Sequence, residues 1–151
     1  MRLRGYRSGD ADLLSGPWLP GELLGLPVAD WPPLAPPTTV APPADPSQEL
    51  CVAPGIGFVR FTSLDWVHRR ARVELGLNSV VGLDVVLKTV VLHGFLTLNL
   101  SRIYGWVTPA LGAPTDVLAD VGFQREAVVP EGTWLDGRPV DREIWGAVRN
   151  D

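Results

Sequence analysis

The chain has 151 residues, of which 46% are hydrophobic, and its formal net charge is −4 at pH 7. This length suits a single domain with a substantial core, so we expect one domain over residues 1–151. The acidic balance leaves no basic surplus for nucleic-acid binding. One cysteine, Cys51, excludes an internal disulfide and favours a reducing cytoplasm. No secretory signal pattern and no apolar run of membrane-spanning length is present, so we expect no membrane association.

Proline dominates the N-terminal third of the chain. Residues 2–7 predict a first strand, and Ser8-Gly9-Asp10 predicts the cap of a short helix that runs through Leu14. Ten prolines then lie between Pro17 and Pro46, where they exclude a helix and favour extended or polyproline-II chain. Several apolar residues argue against full disorder of this segment: Trp18, Leu23, Leu24, Leu26 and Trp31. We therefore predict a strap, residues 17–46, laid over one side of a sheet.

The middle of the chain predicts strands followed by one long helix. Glu49–Ala53 and Gly57–Leu64 are typical of two strands around a Pro54-Gly55 turn. Apolar residues alternate with polar ones over 71–77, which is the period of a strand. Apolar residues then recur at helical spacing and predict a buried helix over about 84–99. Its predicted inner stripe is Leu83, Leu87, Val91, Phe95 and Leu98.

The loop between the central strand and the long helix is a predicted anion site. Strand, loop (78–82) and helix bring backbone amides and a helix N-terminus to one point, where anions bind readily. The C-terminal third then predicts a strand, a short helix and two antiparallel strands joined through an Asp-Gly turn. These elements are Arg102–Thr108, a helix from Pro114 or Thr115 to Gly122, Phe123–Val129 and Arg142–Val148, with the turn at Asp136-Gly137.

The arrangement resembles the GCN5-related N-acetyltransferases, especially the branch that acetylates protein N-termini and ribosomal proteins. The similarity rests on the strand–loop–helix segment 70–100, on the following strand Arg102–Val107, on 118–127 with its Gly122-Phe123, and on the closing hairpin at Trp134–Arg138. It covers roughly residues 49–149. The resemblance implies an α/β fold with a mixed, mainly antiparallel twisted sheet and one central buried helix. The proline-rich strap replaces the usual N-terminal helices.

The resemblance also implies an activity. An acyltransferase of this kind moves an acyl group from acetyl-coenzyme A, or another acyl-coenzyme A, to an amine or small-molecule acceptor, and a homodimer is compatible with it. Its cofactor-binding residues would be Leu75, Leu77, Val80, Val81, Gly82 and Leu83. Glu74 is a candidate general base and Tyr104 a candidate proton donor to the leaving thiolate. Each has a structural alternative: a glutamate paired with Arg72, and a half-buried strand tyrosine.

The motifs that carry chemistry depart from the family pattern. Only Gly82 remains of the glycine-rich phosphate loop, and Asp84 places a negative charge in the first turn of the helix. The family's Asn-x-x-Ser positions fall on Leu111 and Pro114, whose side chains donate no hydrogen bond. An alternative therefore stays open. In that alternative, the protein has lost coenzyme A binding and acts on, or simply binds, an apolar small molecule under the proline-rich strap. A pocket lined by several of the six tryptophans would suit a hydrophobic or aromatic ligand.

No metal site is predicted. His68 lies in a polar turn and His93 on the long helix, each without a cysteine or acidic residue at a spacing that marks a metal site. Cys51 has no nucleophile signature around it, so it is interpreted as a small buried residue.

Overall fold

The computed structural model describes residues 1–16, 18–19, 21–25 and 45–150. Seven strands form one sheet: β1 (Arg4–Gly5), β2 (Glu49–Ala53), β3 (Gly57–Asp65), β4 (Arg70–Leu77), β5 (Arg102–Val107), β6 (Gln124–Leu135) and β7 (Arg138–Val148). The helices are α1 (Leu83–Leu92), which continues as a π-helix over His93–Thr97, and α2 (Thr115–Asp120). Two 3-10 helices cover Ser8–Ser15 and Pro109–Leu111. In the part of the chain described, no helix has the length and apolar character needed to cross a membrane.

The sheet is mixed and mainly antiparallel, as predicted. Its strand order is β1-β2-β3-β4-β5-β7-β6, and the pair β4–β5 is parallel while the other pairs are antiparallel. The parallel pair is short: its register ends where Arg72 lies opposite Tyr104. Beyond that point the two strands separate, although each continues to its own end. The sheet therefore contains an internal cleft between the C-terminal halves of β4 and β5.

The C-terminal hairpin is longer than the sequence predicts. β6 extends to Leu135 and β7 begins at Arg138, so only Asp136 and Gly137 connect them. Both turn residues have positive φ, 52° and 76°, as a type I′ turn requires. The hairpin arm is mostly exposed on both faces, so its sequence lacks the alternation that marks a half-buried strand.

Helix α1 packs on the sheet with a face that differs from the predicted one. Leu83 and Leu87 are buried as expected, together with Val86 and Val90. Val91 and Phe95 are only partly buried, so the prediction that they lie innermost is wrong. The next residue to face the sheet is Gly94, where an added Cβ would lie 3.1 Å from Ile103 Cγ2. The close approach of the π-helix backbone to β5 therefore takes the place of a large side chain.

Truncating the inner face of α1 should destabilise the protein strongly. Leu87→Ala removes a fully buried side chain, so we expect a loss of about 2–5 kcal/mol in the free energy of unfolding. Leu92→Ala, on the exposed side of the same helix, should change it by less than about 0.5 kcal/mol. Urea denaturation followed by circular dichroism measures both. Equal effects of the two substitutions would contradict this assignment of the buried face.

Candidate active site

The cleft between β4 and β5 exposes backbone hydrogen-bonding groups of β4. The Asn78 amide bonds the Ile56 carbonyl, on the β3 side, at 2.9 Å. Because backbone groups alternate in direction along a strand, those of Leu77, Leu75 and Val73 point the other way, into the cleft. This is the edge on which the predicted cofactor residues Leu75 and Leu77 lie.

Part of the predicted strap enters this cleft. The inserted segment, residues 18–19 and 21–25, bonds β4 through the Leu19 amide and the Leu77 carbonyl at 2.7 Å. On the other side, Leu23 forms an antiparallel bridge with Val107 of β5. The described part of the strap thus lies between two strands of the sheet, rather than over one side as predicted. Residues 26–44 lie outside the described residues.

Close backbone contacts seat the inserted segment. Leu24 is fully buried with φ of 57°, a conformation that non-glycine residues rarely adopt. It packs on Gly105, where an added Cβ would lie 2.8 Å from Leu24 Cα. Gly25 lies equally close to β4, because its added Cβ would be 2.9 Å from Glu74 Cγ. Only glycine at these two positions allows so close an approach, and the surrounding contacts maintain the unfavourable backbone of Leu24.

A buried ion pair anchors the same segment. Glu22 is 0% exposed and accepts hydrogen bonds from Arg142, through Nε at 3.0 Å and through Nη2. The Thr108 hydroxyl also donates to this carboxylate. The Arg142 guanidinium lies over the Trp106 ring, 4.3 Å from its centre. A buried carboxylate needs such partners, so Glu22 ties the inserted segment to β7 and to the end of β5.

An apolar cavity of about 60 Å³ remains at the mouth of the cleft. It has room for only a few water molecules, at about 10–15 Å³ each. The predicted cofactor residues Leu75, Leu77, Val80 and Leu83 line it. The remaining lining residues are Leu19, Gly21, Leu23, Gly112, Ala113 and Pro114. Pro114, one of the two Asn-x-x-Ser positions, therefore lies beside the cleft.

The loop at the start of α1 already uses some of its amides internally. Val81 donates to Ser79 Oγ at 3.1 Å, and Leu83 donates to the Val80 carbonyl at 3.1 Å. Val80 and Val81 are 63% and 79% exposed. Gly82 has φ of 75° and directs the chain into the helix. The loop is therefore less open to a phosphate than a glycine-rich cradle.

Two further amides face outward at this end of α1. The first helical hydrogen bond runs from Val86 to the Gly82 carbonyl at 3.0 Å. The amides of Asp84 and Val85 precede it, so they have no partner within the helix. Amides in this position are where an anion would bind a helix, and the exposed Asp84 carboxylate beside them opposes such binding.

The two predicted catalytic residues lie on one face of the sheet, near the point where β4 and β5 separate. Tyr104 is half-buried in the last registered pair, and the Arg102 guanidinium lies 4.6 Å from the centre of its ring. Glu74 is 5% exposed and accepts from Arg60 Nε at 2.7 Å and from Arg72 Nη2 at 2.8 Å. Both oxygens of Glu74 are engaged by guanidinium groups, which favours the structural alternative for this residue. Its role as a base stays a prediction.

The described tryptophans do not gather around the apolar cavity. Trp18 packs edge-on against Phe58 with ring centres 5.7 Å apart, whereas Trp66 and Trp134 are largely exposed. Trp106 contacts Arg142, and Trp145 hydrogen-bonds Glu143 at 3.0 Å. Trp31 lies outside the described residues. No described tryptophan therefore lines this cavity, and a tryptophan-lined pocket elsewhere stays a prediction.

Sequence reasoning missed a second cluster. His93 Nε2 lies 3.2 Å from Glu49 Oε2 and 3.6 Å from Cys51 Sγ. Burial and the nearby Glu49 charge raise the pKa of Cys51 to about 12. Because 42 residues separate Cys51 from His93, no short spacing in the sequence could indicate their meeting.

Comparison with known proteins supports the resemblance. No family model matches the chain. The chain is 32% identical over 100 residues to the uncharacterized N-acetyltransferase YoaA of Bacillus subtilis, an alignment that covers 62% of the chain and 55% of YoaA. It thus spans about half the length of this curated relative.

Solved structures agree with this comparison. A spermidine N-acetyltransferase from Vibrio cholerae, in complex with coenzyme A and spermine, matches with a TM-score of 0.62 at 20% identity, over 68% of this chain and 66% of that one. A dodecameric form of that enzyme matches with a TM-score of 0.63 at 19% identity, over 69% and 66%. The chain therefore has the fold of the GCN5-related N-acetyltransferases. Placement in the ribosomal-protein branch stays a prediction.

Loosening the Glu22 anchor should expose the inserted segment to proteases. Glu22→Gln leaves Arg142 without its carboxylate, so cleavage between residues 16 and 25 should become faster. Limited proteolysis with mass spectrometry of the fragments measures this. Glu131→Gln, which removes an exposed carboxylate on β6, is the matched control. Equal cleavage rates for wild type and Glu22→Gln would contradict an anchoring role for Glu22.

Proposed function

We propose that the protein is an acyltransferase that moves an acyl group from acyl-coenzyme A to an amine acceptor. The observation that carries this proposal is the cleft between β4 and β5, with the N-terminus of α1 at its mouth. The names of the relatives agree with it: YoaA is called an N-acetyltransferase, and the Vibrio cholerae enzyme was solved with coenzyme A and spermine. A homodimer stays a prediction for this chain.

The residues of the cleft suit the parts of an acyl-coenzyme A. The backbone groups of Leu75 and Leu77 would bond the amides of the pantetheine arm, as an added strand bonds an open sheet edge. Apolar side chains at Val80 and Leu83 would line that arm. The amides of Asp84 and Val85 would hold the pyrophosphate, with the Asp84 charge weakening that contact.

The reaction needs one proton donor at the point where the strands separate. The amine nitrogen forms a bond to the acyl carbon, the carbon–sulfur bond breaks, and the departing thiolate takes a proton. Tyr104 lies in the last pair before the cleft and is our candidate donor. The proton lost by the amine passes to water or to Glu74, if Glu74 can leave its arginine partners.

The inserted segment limits access to this site. A cavity of about 60 Å³ cannot hold a pantetheine arm, and the Leu19 amide already occupies the Leu77 carbonyl. Acyl-coenzyme A would therefore bind only after the segment moves. The apparent affinity would then be reduced by the fraction of molecules in which the cleft is open.

The same contacts favour a second candidate function. A protein of this fold whose own chain closes the cleft would no longer use coenzyme A and would bind an apolar small molecule instead. The two candidates differ in one measurable property, which is whether loosening the inserted segment reveals coenzyme A binding.

Calorimetry with acetyl-coenzyme A decides between them. We expect wild type to bind more weakly than micromolar, and Glu22→Gln to bind more tightly because its cleft opens more readily. Micromolar or tighter binding by wild type would contradict the weakened site. Absence of binding by wild type and by Glu22→Gln would overturn the acyltransferase proposal and leave the second candidate.

The Asp84 charge provides a separate test of the pyrophosphate position. Asp84→Asn should tighten acetyl-coenzyme A binding by about 0.3–1 kcal/mol at low salt, and the gain should shrink as salt screens the site. Asp136→Asn removes the same charge at the hairpin turn, where asparagine is equally suitable, and should leave affinity unchanged. Equal effects of the two substitutions would place the pyrophosphate elsewhere.

Two substitutions distinguish a catalytic role from a structural role at the point where β4 and β5 separate. Tyr104→Phe should lower kcat by about 10²–10⁴-fold with an unchanged melting temperature, because it removes only the proton donor. Glu74→Gln should lower the melting temperature, because it leaves Arg60 and Arg72 beside a neutral partner. Thiol release from acetyl-coenzyme A with a panel of amines measures kcat. Full activity of Tyr104→Phe would exclude it as the donor, and a loss of kcat in Glu74→Gln without loss of stability would identify Glu74 as the base.

A further inference from the structure

We propose that Glu49, Cys51 and His93 form a binding site for a zinc ion. The first two residues come from β2 and the third from the junction between α1 and the π-helix. β3 separates β2 from β4, so this cluster is distinct from the cleft described above. The proposal concerns a site that the sequence analysis did not predict, and it does not depend on the acyltransferase activity.

Two of the three distances within the cluster match the edges of a zinc tetrahedron. Zinc bonds sulfur at about 2.3 Å and nitrogen or carboxylate oxygen at about 2.0–2.2 Å. Tetrahedral angles then place sulfur and nitrogen about 3.6 Å apart, and nitrogen and oxygen about 3.3 Å apart. The observed separations are 3.6 Å from Cys51 Sγ to His93 Nε2, and 3.2 Å from His93 Nε2 to Glu49 Oε2. All three ligand atoms lie within 4.8 Å of one another.

A single nitrogen of His93 contacts both of the other ligands. His93 directs the same ring nitrogen, Nε2, at both the Cys51 sulfur and the Glu49 carboxylate. A neutral imidazole nitrogen either donates one proton or offers one lone pair. It can donate to the carboxylate, with the sulfur as a second, weaker acceptor of the same proton, or it can accept from the thiol. A cation at the centre of the three atoms satisfies all of them together.

The protein holds two of the three ligands rigidly. Cys51 is 1% exposed and lies in the sheet between Gly5 of β1 and Val59 of β3. The His93 ring packs against the buried Phe61 with ring centres 5.5 Å apart. The π-helix begins at His93, whose carbonyl accepts the Leu98 amide at 3.0 Å. Single π-helical turns are rare and occur frequently at functional sites.

Solvent reaches the proposed metal site beside the third ligand, Glu49. The Glu49 side chain is 38% exposed, so an ion could enter past it and keep a water molecule as the fourth ligand. A set of thiolate, imidazole and carboxylate favours zinc over magnesium or calcium, which prefer oxygen ligands alone. A bound ion would connect β2 to the C-terminal end of α1, so we assign it a stabilising role.

Metal titration of the untagged, chelator-treated protein tests the site. Cobalt(II) should bind one equivalent and give the near-ultraviolet thiolate-to-cobalt charge-transfer band with the visible bands of a four-coordinate ion, and zinc should displace it. Cys51→Ser should abolish the charge-transfer band. His93→Gln should weaken zinc binding by at least about 100-fold, more than the loss of an outer-shell partner. Zinc should also raise the melting temperature of wild type and not that of His93→Gln.

Two further variants keep the test decisive. His68→Gln removes the only other histidine, which is exposed and lies 2.8 Å from Asp65, and should leave metal binding unchanged. Glu49→Gln replaces the most exposed ligand, so it should weaken binding while circular dichroism shows an unchanged fold. Absence of stoichiometric binding by wild type would overturn the proposal. Binding that persists in Cys51→Ser and His93→Gln without the charge-transfer band would also overturn it.

Discussion

The short parallel pairing of β4 and β5 is the constraint on which the rest of the structure depends. The two strands share a register only as far as Arg72 and Tyr104, and then separate within an otherwise continuous sheet. Separated strands leave backbone amides and carbonyls that need partners. In this chain the inserted segment supplies two of them, with Leu19 bonded to β4 and Leu23 bridged to β5. The cleft, the cavity at its mouth and the N-terminus of α1 all follow from this separation.

The inserted segment is held by charge as well as by backbone contacts. Glu22 is fully buried, so its ion pair with Arg142 and its hydrogen bond from Thr108 are needed to offset the cost of burying the carboxylate. Breaking these contacts would expose the cleft, and any cofactor that binds there competes with them. Under the proposed function, an equilibrium between closed and open clefts would couple ligand binding to the packing of the strap, in the manner of a population shift.

Helix α1 connects the two candidate sites. Its N-terminus carries the outward amides of Asp84 and Val85 beside the cleft, and its C-terminal end carries His93 beside β2. The π-helix that begins at His93 also brings the Gly94 backbone against Ile103 of β5. The π-helical turn therefore places the His93 side chain against β2 and packs the Gly94 backbone against the centre of the sheet. An ion at His93 would stabilise the end of the helix opposite to the cleft.

The sequence by itself determined the class of fold and the strand–loop–helix segment that borders the cleft, because these depend on local patterns. Alternation over 71–77, helical spacing from Leu83 and the Asp136-Gly137 turn each reflect neighbours along the chain. Only the tertiary structure decided that Glu74 lies between two arginines, that the strap enters the sheet and that His93 meets Cys51. Apart from the Arg72–Glu74 contact within β4, each of these contacts joins residues from different elements, and the last joins residues 42 positions apart. Periodicity and spacing carry no information about such pairs, since the order in which strands pack decides which side chains come together.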